Sequence, residues 1–486
     1  LGPPGTGKTT TLLNLVEEFL RDGVDIKKIG YFSFTKKAAW EATHRAEEKF
    51  MIDQKEIPYF RTLHSLAFRT LGMNKERVMK APDYRDFGLK CGIPIKTAWY
   101  NDEDGVFNSD NEYLRLINKA RVLEMPVLDL YDKNEHHMDI ERDLLYLLDQ
   151  ELKKYKTEKG LYDYDDMLEQ FIDQDVSPSF DVLFIDEAQD LSPLQWRMVR
   201  TLWKKANKTY IAGDDDQAIF RWAGADVDSF ITQKGKPLPL TKSRRVPRKI
   251  HELASSIIGR VNNRIDKNWN PKQHEGKLTP YDSFEDVDMS SGKWLVLTRT
   301  RSMLDQLEDT IRDKGFYYEN RFKKLYEKDI QEAALNWEHL IKGQMLDSKQ
   351  IEGISKYISK EKWNKDKLKS MVKNSLYSLD QLQKDYGLGT KEIWYEAFDQ
   401  AGQKRINYIR RMKRNGEMLN KEPRIKLSTI HSAKGGEEDN VVLLTDLTHN
   451  TKKSYDKNQD DETRLFYVGA TRTKEHLHII LSLIHI

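Results

Sequence analysis

The chain has 486 residues, 38% hydrophobic and 33% charged, and a net charge of +2. That length is more than one hydrophobic core serves, so several domains are expected. No apolar run approaches the ~20 residues of a membrane-spanning helix, and the single cysteine, Cys91, excludes internal disulfides and a cysteine-rich zinc site and fits a reducing compartment.

The first element is a motif. Gly2-Pro3-Pro4-Gly5-Thr6-Gly7-Lys8-Thr9 fits the G-x-x-x-x-G-K-[ST] pattern of a phosphate-binding loop. Its glycines let backbone N–H groups curl around a polyphosphate, Lys8 reaches the β- and γ-phosphates, and the Thr9 hydroxyl ligates Mg²⁺. Thr10-Thr11-Leu12-Leu13 then opens an apolar helix whose N-terminus faces the phosphates. The strand that should precede such a loop lies upstream of Leu1, so the chain is expected to be an N-terminally truncated fragment.

Residues 1–68 alternate helix and strand signals, with an apolar strand at 29–34 and a helix at 38–50. Residues 69–160 lose the strand signals and read as a helical insertion, with helices at 112–123 and 140–155 and a loop at 99–110. Strands return at 182–185 and 209–212, each ending on acidic residues. A second α/β region is expected from near residue 237, with strands at 294–298 and 441–444, interrupted by a Lys-rich helical insertion at 341–422. The expected division is therefore 1–68 with 161–236, 69–160, 237–340 with 423–486, and 341–422.

Phe184-Ile185-Asp186-Glu187-Ala188-Gln189-Asp190 delivers two carboxylates to the end of an apolar strand, where an open α/β sheet places catalytic groups. Asp186 is expected to hold Mg²⁺ through its water shell, and Glu187 to orient and deprotonate the attacking water. In residues 213–224 three aspartates in a row invite a metal site, but Gln217 after them fits a γ-phosphate sensor. Trp222 either stacks on a nucleobase or packs in the core.

These blocks resemble superfamily 1 helicases of the UvrD/Rep/PcrA type, together with Phe34-Thr35-Lys36-Lys37-Ala38-Ala39, Thr62-Leu63-His64-Ser65, Thr429-Ile430-His431-Ser432-Ala433-Lys434-Gly435 and Tyr467-Val468-Gly469-Ala470-Thr471-Arg472. They occur in the family's order and span nearly the whole chain. The resemblance implies an α/β fold of two RecA-like P-loop motor domains with parallel sheets, each carrying a mainly helical insertion. It implies an ATP- and Mg²⁺-dependent 3′ to 5′ helicase of repair, recombination or replication. Single-stranded and duplex DNA are its expected partners, without membrane, in a bacterial or phage-infected cytoplasm, as a monomer or weak oligomer.

By the same resemblance Gly2, Pro3, Pro4, Gly5, Thr6, Gly7, Lys8, Thr9 and Thr10 bind ATP, and Thr9 and Asp186 hold the metal. Glu187, Gln217, Arg245 and Arg472 are catalytic, the two arginines acting on the γ-phosphate from the second domain. Glu437 meets the nucleotide sugar, and Phe34, Thr35, Thr62, His64, Trp222 and His431 meet the DNA. Asp163-Tyr164-Asp165-Asp166-Met167-Leu168 matches a further family block. Four departures stand out. Arg244 replaces a tyrosine that stacks on adenine, Ala223 an arginine, Gly436 a leucine, and the second insertion is short. Two alternatives follow: the helicase portion of a RecB/AddA-like helicase–nuclease, and a translocase that displaces bound proteins without unwinding.

Weaker signals remain. Glu135, His136, His137 and Asp139 read as an exposed polar loop rather than a metal cluster. The basic run from Lys404 to Arg414 serves either a solvated helix face or duplex contact. Gly387-Leu388-Gly389-Thr390 resembles a DNA-contacting loop of the family's last insertion, or is a helix-ending turn. Residues 482–486 follow a closing strand at 477–481.

Overall fold

Contacts divide the chain into two units in the computed structural model, which describes residues 1–101, 106–133, 140–325 and 327–481. The first unit comprises Leu1–Lys277, Lys434–Gly436 and His449–Lys474; the second comprises Leu278–Ala433, Glu437–Thr448 and Glu475–Ile486. The group Glu135, His136, His137 and Asp139 and the final residues 482–486 lie outside the described residues.

The first unit is built on a four-stranded sheet in the order Phe60–Thr62, Ile29–Ser33, Phe180–Asp186, Ala206–Ile211, with every pair parallel. The two central strands are almost wholly buried, as a parallel sheet covered on both faces requires. Tyr31 stacks on Phe60 and Phe184, and Phe184 stacks on Tyr210, so one row of rings crosses the sheet. Helix Lys8–Arg21 lays Leu12, Leu13, Val16 and Phe19 on this side at helical spacing. Each such side chain contributes about 1.5–3 kcal/mol by burial, which fixes the helix start under the phosphate loop.

The insertion has its own core, made by Phe87, Leu116, Leu145, Leu148 and Leu152 of helices Ala81–Cys91, Glu112–Val122 and Arg142–Lys159. The segment expected as a loop at 99–110 is instead an antiparallel hairpin, Ala98–Asn101 with Val106–Ser109. Trp99-Tyr100 and Val106-Phe107 are strand formers, but each run is too short to give a period. The Asp163–Leu168 block joins insertion to sheet. Arg121 meets Asp163 and Asp166, each at 2.6 Å, and Glu169 at 3.1 Å, while Lys156 reaches Asp163 and Asp166 at 2.7 Å. Burial pushes the neighbouring Asp165 up to about 7, against the pull of Arg121.

By its contacts, the segment 237–277 packs with the first unit. The reason is electrostatic. Lys267 sits among Asp214, Asp215 and Asp216, with Asp214 and Asp216 both at 3.0 Å, and Arg264 bonds both oxygens of Asp216 at 2.8 Å. The three aspartates are thereby occupied by cations of this segment rather than by a metal. The Ser243 hydroxyl adds a bond to the Pro4 carbonyl at 2.8 Å.

The second unit has a six-stranded sheet in the order Lys277–Tyr281, Thr473–Ile480, Glu438–Leu444, Trp294–Thr298, Ile425–Thr429, Tyr318–Asn320. Trp294–Thr298 runs parallel to both Glu438–Leu444 and Ile425–Thr429, and Ile425–Thr429 runs parallel to Tyr318–Asn320. Its inserted module includes helices Ser348–Ser355 and Gln403–Arg414 and one antiparallel ribbon, Leu346–Asp347 with Leu376–Tyr377, that the sequence did not announce. Trp363, Trp394 and Phe398 of this module join Trp337 in one core that is continuous with the sheet, so a short module still buries large rings. Half of the basic run is paired within the unit: Arg405 with Glu327, Arg411 with Asp313 at 3.4 Å and Lys413 with Glu338, while Arg410 covers the Tyr395 ring at 4.3 Å and Lys404 and Arg414 are exposed. In the 387–390 turn the Gly389 N–H donates to the Lys362 carbonyl at 2.7 Å. Two α/β units on parallel sheets, each with a mainly helical insertion, is the fold class the sequence implied. Among the described residues no helix is long and apolar enough to cross a membrane.

Candidate functional site

The phosphate loop is shaped by two glycines that admit no replacement. A Cβ on Gly2 would lie 2.0 Å from the Lys8 Cγ, and one on Gly5, at φ +71°, would lie 2.5 Å from the Arg245 Cβ. Lys8 opens the helix and donates from Nζ to the Gly2 carbonyl at 2.8 Å, folding back over the loop. The Arg244 N–H donates to the Gly5 carbonyl at 2.9 Å. The first unit thus brings the backbone of Arg244 and Arg245 against the loop.

At the end of strand Phe180–Asp186, one oxygen of Asp186 accepts from the Thr9 hydroxyl at 3.0 Å and from the Tyr31 hydroxyl at 2.7 Å. Burial raises the Asp186 carboxyl above the usual range, and the charge of Glu187 raises it further. Thr9 and Asp186 offer adjacent oxygens suited to a hard cation. Among the described residues no group of three or more His, Cys, Asp or Glu forms a metal cage. A magnesium ion that keeps its waters and leans on phosphate oxygens needs only such a pair.

Glu187 adopts a left-handed backbone at φ 55°, a conformation that costs a non-glycine residue roughly 1–2 kcal/mol. Its N–H donates to Asp186 Oδ1 at 2.9 Å, and its carboxylate accepts from Gln189 Nε2 at 2.6 Å. Lys8 and Lys434 each stand 3.8 Å from its oxygens. Burial pushes this carboxyl up, but Lys8 and then Lys434 outweigh it and hold the group below the usual range. The two adjacent carboxyls are thus pushed in opposite directions, Asp186 up and Glu187 down.

Gln217 lies in the turn Asp215–Gln217, with its amide donating to Asp214 Oδ2 at 2.6 Å. Its oxygen accepts from Arg472 Nη2 at 2.9 Å. Arg472 is buried, and its Nε is also held by the Val468 carbonyl at 3.0 Å. Helix Gln459–Ala470, which carries Val468 and ends just before Arg472, is anchored through the fully buried Arg464, which donates to the Asp215 carbonyl at 3.0 Å. Lys8, Thr9, Asp186, Glu187, Gln217 and Arg472 therefore share one neighbourhood of the first unit. Glu437 and His431 belong to the second unit, next to strands Glu438–Leu444 and Ile425–Thr429.

Several members escaped the sequence reading as individuals. Gln189 bridges Glu187 to the Asp214 N–H, which it accepts at 3.0 Å. Lys434 pairs with Asp190 and donates to the Gln217 carbonyl at 2.7 Å. Asp190 is pushed up to about 6 by burial, against the pull of Lys434. Gln189, Asp190 and Lys434 all lie inside the motif blocks 184–190 and 429–435, so their position is a usable signal. Tyr31, Arg264 and Lys267 carried none.

The residues expected to meet DNA divide by location. Phe34 and His64 line one cleft of the first unit together with Tyr100, Phe220, Ala223 and Asp190. Phe34 packs on Phe220 with ring centroids 5.7 Å apart, and His64 lies against Tyr100 and Tyr164. Thr35 and Thr62 cap helices Lys36–Phe50 and Leu63–Thr70, accepting from the N–H groups of Ala38 and Ser65. Trp222, in the turn Arg221–Ala223, is 51% exposed and so is not a core side chain.

Residues 1–237 match the UvrD/REP helicase N-terminal domain, and residues 285–483 match the UvrD-like helicase C-terminal domain. The chain is 24% identical over 324 residues to DNA helicase II of Haemophilus influenzae, covering 59% of this chain and 42% of that protein. It is 25% identical over 364 residues to the ATP-dependent DNA helicase PcrA of Leuconostoc citreum, covering 70% and 46%. Against PcrA of Staphylococcus aureus the identity is 22% over 303 residues, covering 58% and 41%. The matched region spans less than half the length of these curated relatives.

Proposed function

We propose, because the chain belongs to the UvrD/Rep helicase family, that it is an ATP-driven motor moving 3′ to 5′ on single-stranded DNA and opening duplex. The observation that carries this reading is the Gln217–Arg472 hydrogen bond at 2.9 Å beside the Lys8–Glu187 pair at 3.8 Å. It joins a candidate sensor and a candidate γ-phosphate arginine to the phosphate loop. In this reading Lys8 exchanges the Gly2 carbonyl for the β- and γ-phosphates of ATP. Thr9 and Asp186 would hold the Mg²⁺ that neutralises charge on those phosphates. Glu187 orients the attacking water and takes its proton. Arg245 and Arg472 stabilise charge on the transferring phosphoryl group, and Gln217 passes the loss of that group to the Asp214 turn.

Arg244 would stack on the base and Glu437 would meet the sugar. Phe34, Thr35, Thr62, His64, Trp222 and His431 would form the single-strand path. The proposed division is two motor domains, 1–68 with 161–236 and 237–340 with 423–486, each with its helical insertion, acting in the bacterial cytoplasm. The test is ATPase with and without single-stranded DNA, beside translocation and strand-displacement assays. DNA-independent ATPase and no translocation would end the motor reading. A second reading, translocation without unwinding, is favoured by the pairing of Arg405, Arg411 and Lys413 with acids of their own unit. Translocation without strand displacement would select it.

Trp222→Ala should weaken single-strand affinity by roughly 5- to 150-fold, since stacking one base on an aromatic ring is worth about 1–3 kcal/mol. Melting temperature and basal ATPase should hold, because the side chain is half exposed. Lost stability with unchanged affinity per folded molecule would sink the stacking role.

A further inference from the structure

Arg61 is the middle residue of the edge strand Phe60–Thr62 in the first unit, in register with Phe32. Its neighbour Phe60 stacks on Tyr31, so the Arg61 side chain leaves on the opposite face of the sheet. Among the described residues this guanidinium has no hydrogen bond or ion pair, and its Nε is buried without a partner. Burial and the neighbouring charge of Arg69 push its pKa down to about 10, and the counterweight is the Tyr59 phenol.

Other buried or part-buried arginines of the unit also leave a nitrogen without a hydrogen bond, Arg464 at Nη1 and Arg197 at Nε, but each of these has a partner for its guanidinium. Arg121 has four carboxylates, Arg264 has Asp216, and Arg464 has the Asp215 carbonyl. A cation taken from water without such an answer is costly, and an unanswered polar group in a folded protein calls for an explanation. Arg61 immediately precedes Thr62 and stands three residues before His64, which lines the cleft with Phe34. Its register partner Phe32, on the adjacent strand, lies two residues before Phe34, which follows the end of that strand. A strand following these residues carries one anion per nucleotide, in the geometry that a guanidinium fork matches best.

We infer that Arg61, backed by Arg69, is a phosphate-binding site for the backbone of single-stranded nucleic acid at the edge of the first unit's sheet. This rests on the motor reading above. The two arginines set how strongly salt weakens the grip on the strand, independently of base identity.

The experiment measures binding of the full chain to a labelled oligothymidylate across a fourfold range of salt, for the wild type and for Arg61→Met, Arg61→Lys and Arg69→Met. Each lost phosphate contact should lower the slope of log affinity against log salt by about 0.7, so the wild type weakens about 2.6-fold more over that range than Arg61→Met. Arg61→Lys should keep most of the slope, because the charge remains. Basal ATPase should be unchanged in all three, and Arg61→Met should melt no lower than the wild type. Unchanged slopes in both Met variants, with a wild type that binds, would overturn this site and leave the motor standing. A lower melting temperature for Arg61→Met with unaltered affinity per folded molecule would assign the residue to structure and overturn it as well. A wild type that neither binds the oligonucleotide nor answers it with ATPase would bring down both readings. Competition by inorganic phosphate alone at equal ionic strength, without oligonucleotide dependence, would make the site a free-anion site and overturn the backbone assignment.

Discussion

Glu187→Gln should slow ATP turnover by on the order of 10²-fold or more while leaving ATP binding close to normal. The substitution keeps the shape of the side chain and removes its ability to accept a proton. In the folded chain that carboxylate is held ionised by Lys8 and Lys434 and aimed by Gln189. None of those contacts requires it to touch the phosphates, so ground-state affinity has no reason to fall. Lys8→Ala provides the contrast, because in the proposed mechanism Lys8 acts on the phosphates themselves and its loss should lower binding and hydrolysis together. Equilibrium binding of a labelled nucleotide beside steady-state and single-turnover rates separates the two. Normal hydrolysis by Glu187→Gln would remove this residue from the chemistry.

Arg472→Ala should lower DNA-stimulated turnover by on the order of 10³-fold, the scale at which arginine fingers act, with a much smaller rise in the apparent ATP constant. Arg472→Lys should recover little, since a point charge cannot reproduce the planar fork. The residue is buried and also fastens Gln217 and the Val468 carbonyl. Melting temperature must therefore be read on the same samples. A folded Arg472→Ala protein with normal DNA-stimulated ATPase would break the link between this arginine and the transition state.

Where chemistry is carried by contiguous residues, much of the molecule was legible. A glycine-rich turn entering a helix and an apolar strand ending on Asp186-Glu187 are local events, and local spacing reports them. The parallel sheets followed from the same alternation. What stayed hidden depends on partners distant in the chain. Three successive aspartates look like a metal site until Lys267 and Arg264 arrive from some fifty residues away. The basic helix Gln403–Arg414 looks wholly open to DNA until Glu327, Asp313 and Glu338 take three of its charges. The hairpin at Ala98–Asn101 and Val106–Ser109 has strands too short for periodicity to speak, so pairing alone reveals it. Arg61 is the inverse case. Sequence gives no hint that a charge beside Thr62 goes unanswered, because only the absence of neighbours shows it.

The lysine enclosed by Asp214, Asp215 and Asp216 should also make the first unit tolerant of a broken chain. Residues 234–239, between those aspartates and Lys267, form an exposed stretch that includes Lys234 and Gly235. A protease that nicks there separates the two halves of this ion cluster covalently but not physically. Lys267 and Arg264 still grip the aspartates, Ser243 still holds the phosphate loop at Pro4, and Leu240 still donates its N–H to the Leu1 carbonyl. Charges so deeply enclosed are poorly screened by salt. The two fragments should travel through a sizing column as one particle and part only in denaturant. Expressed as separate polypeptides, they should find each other and rebuild the nucleotide pocket.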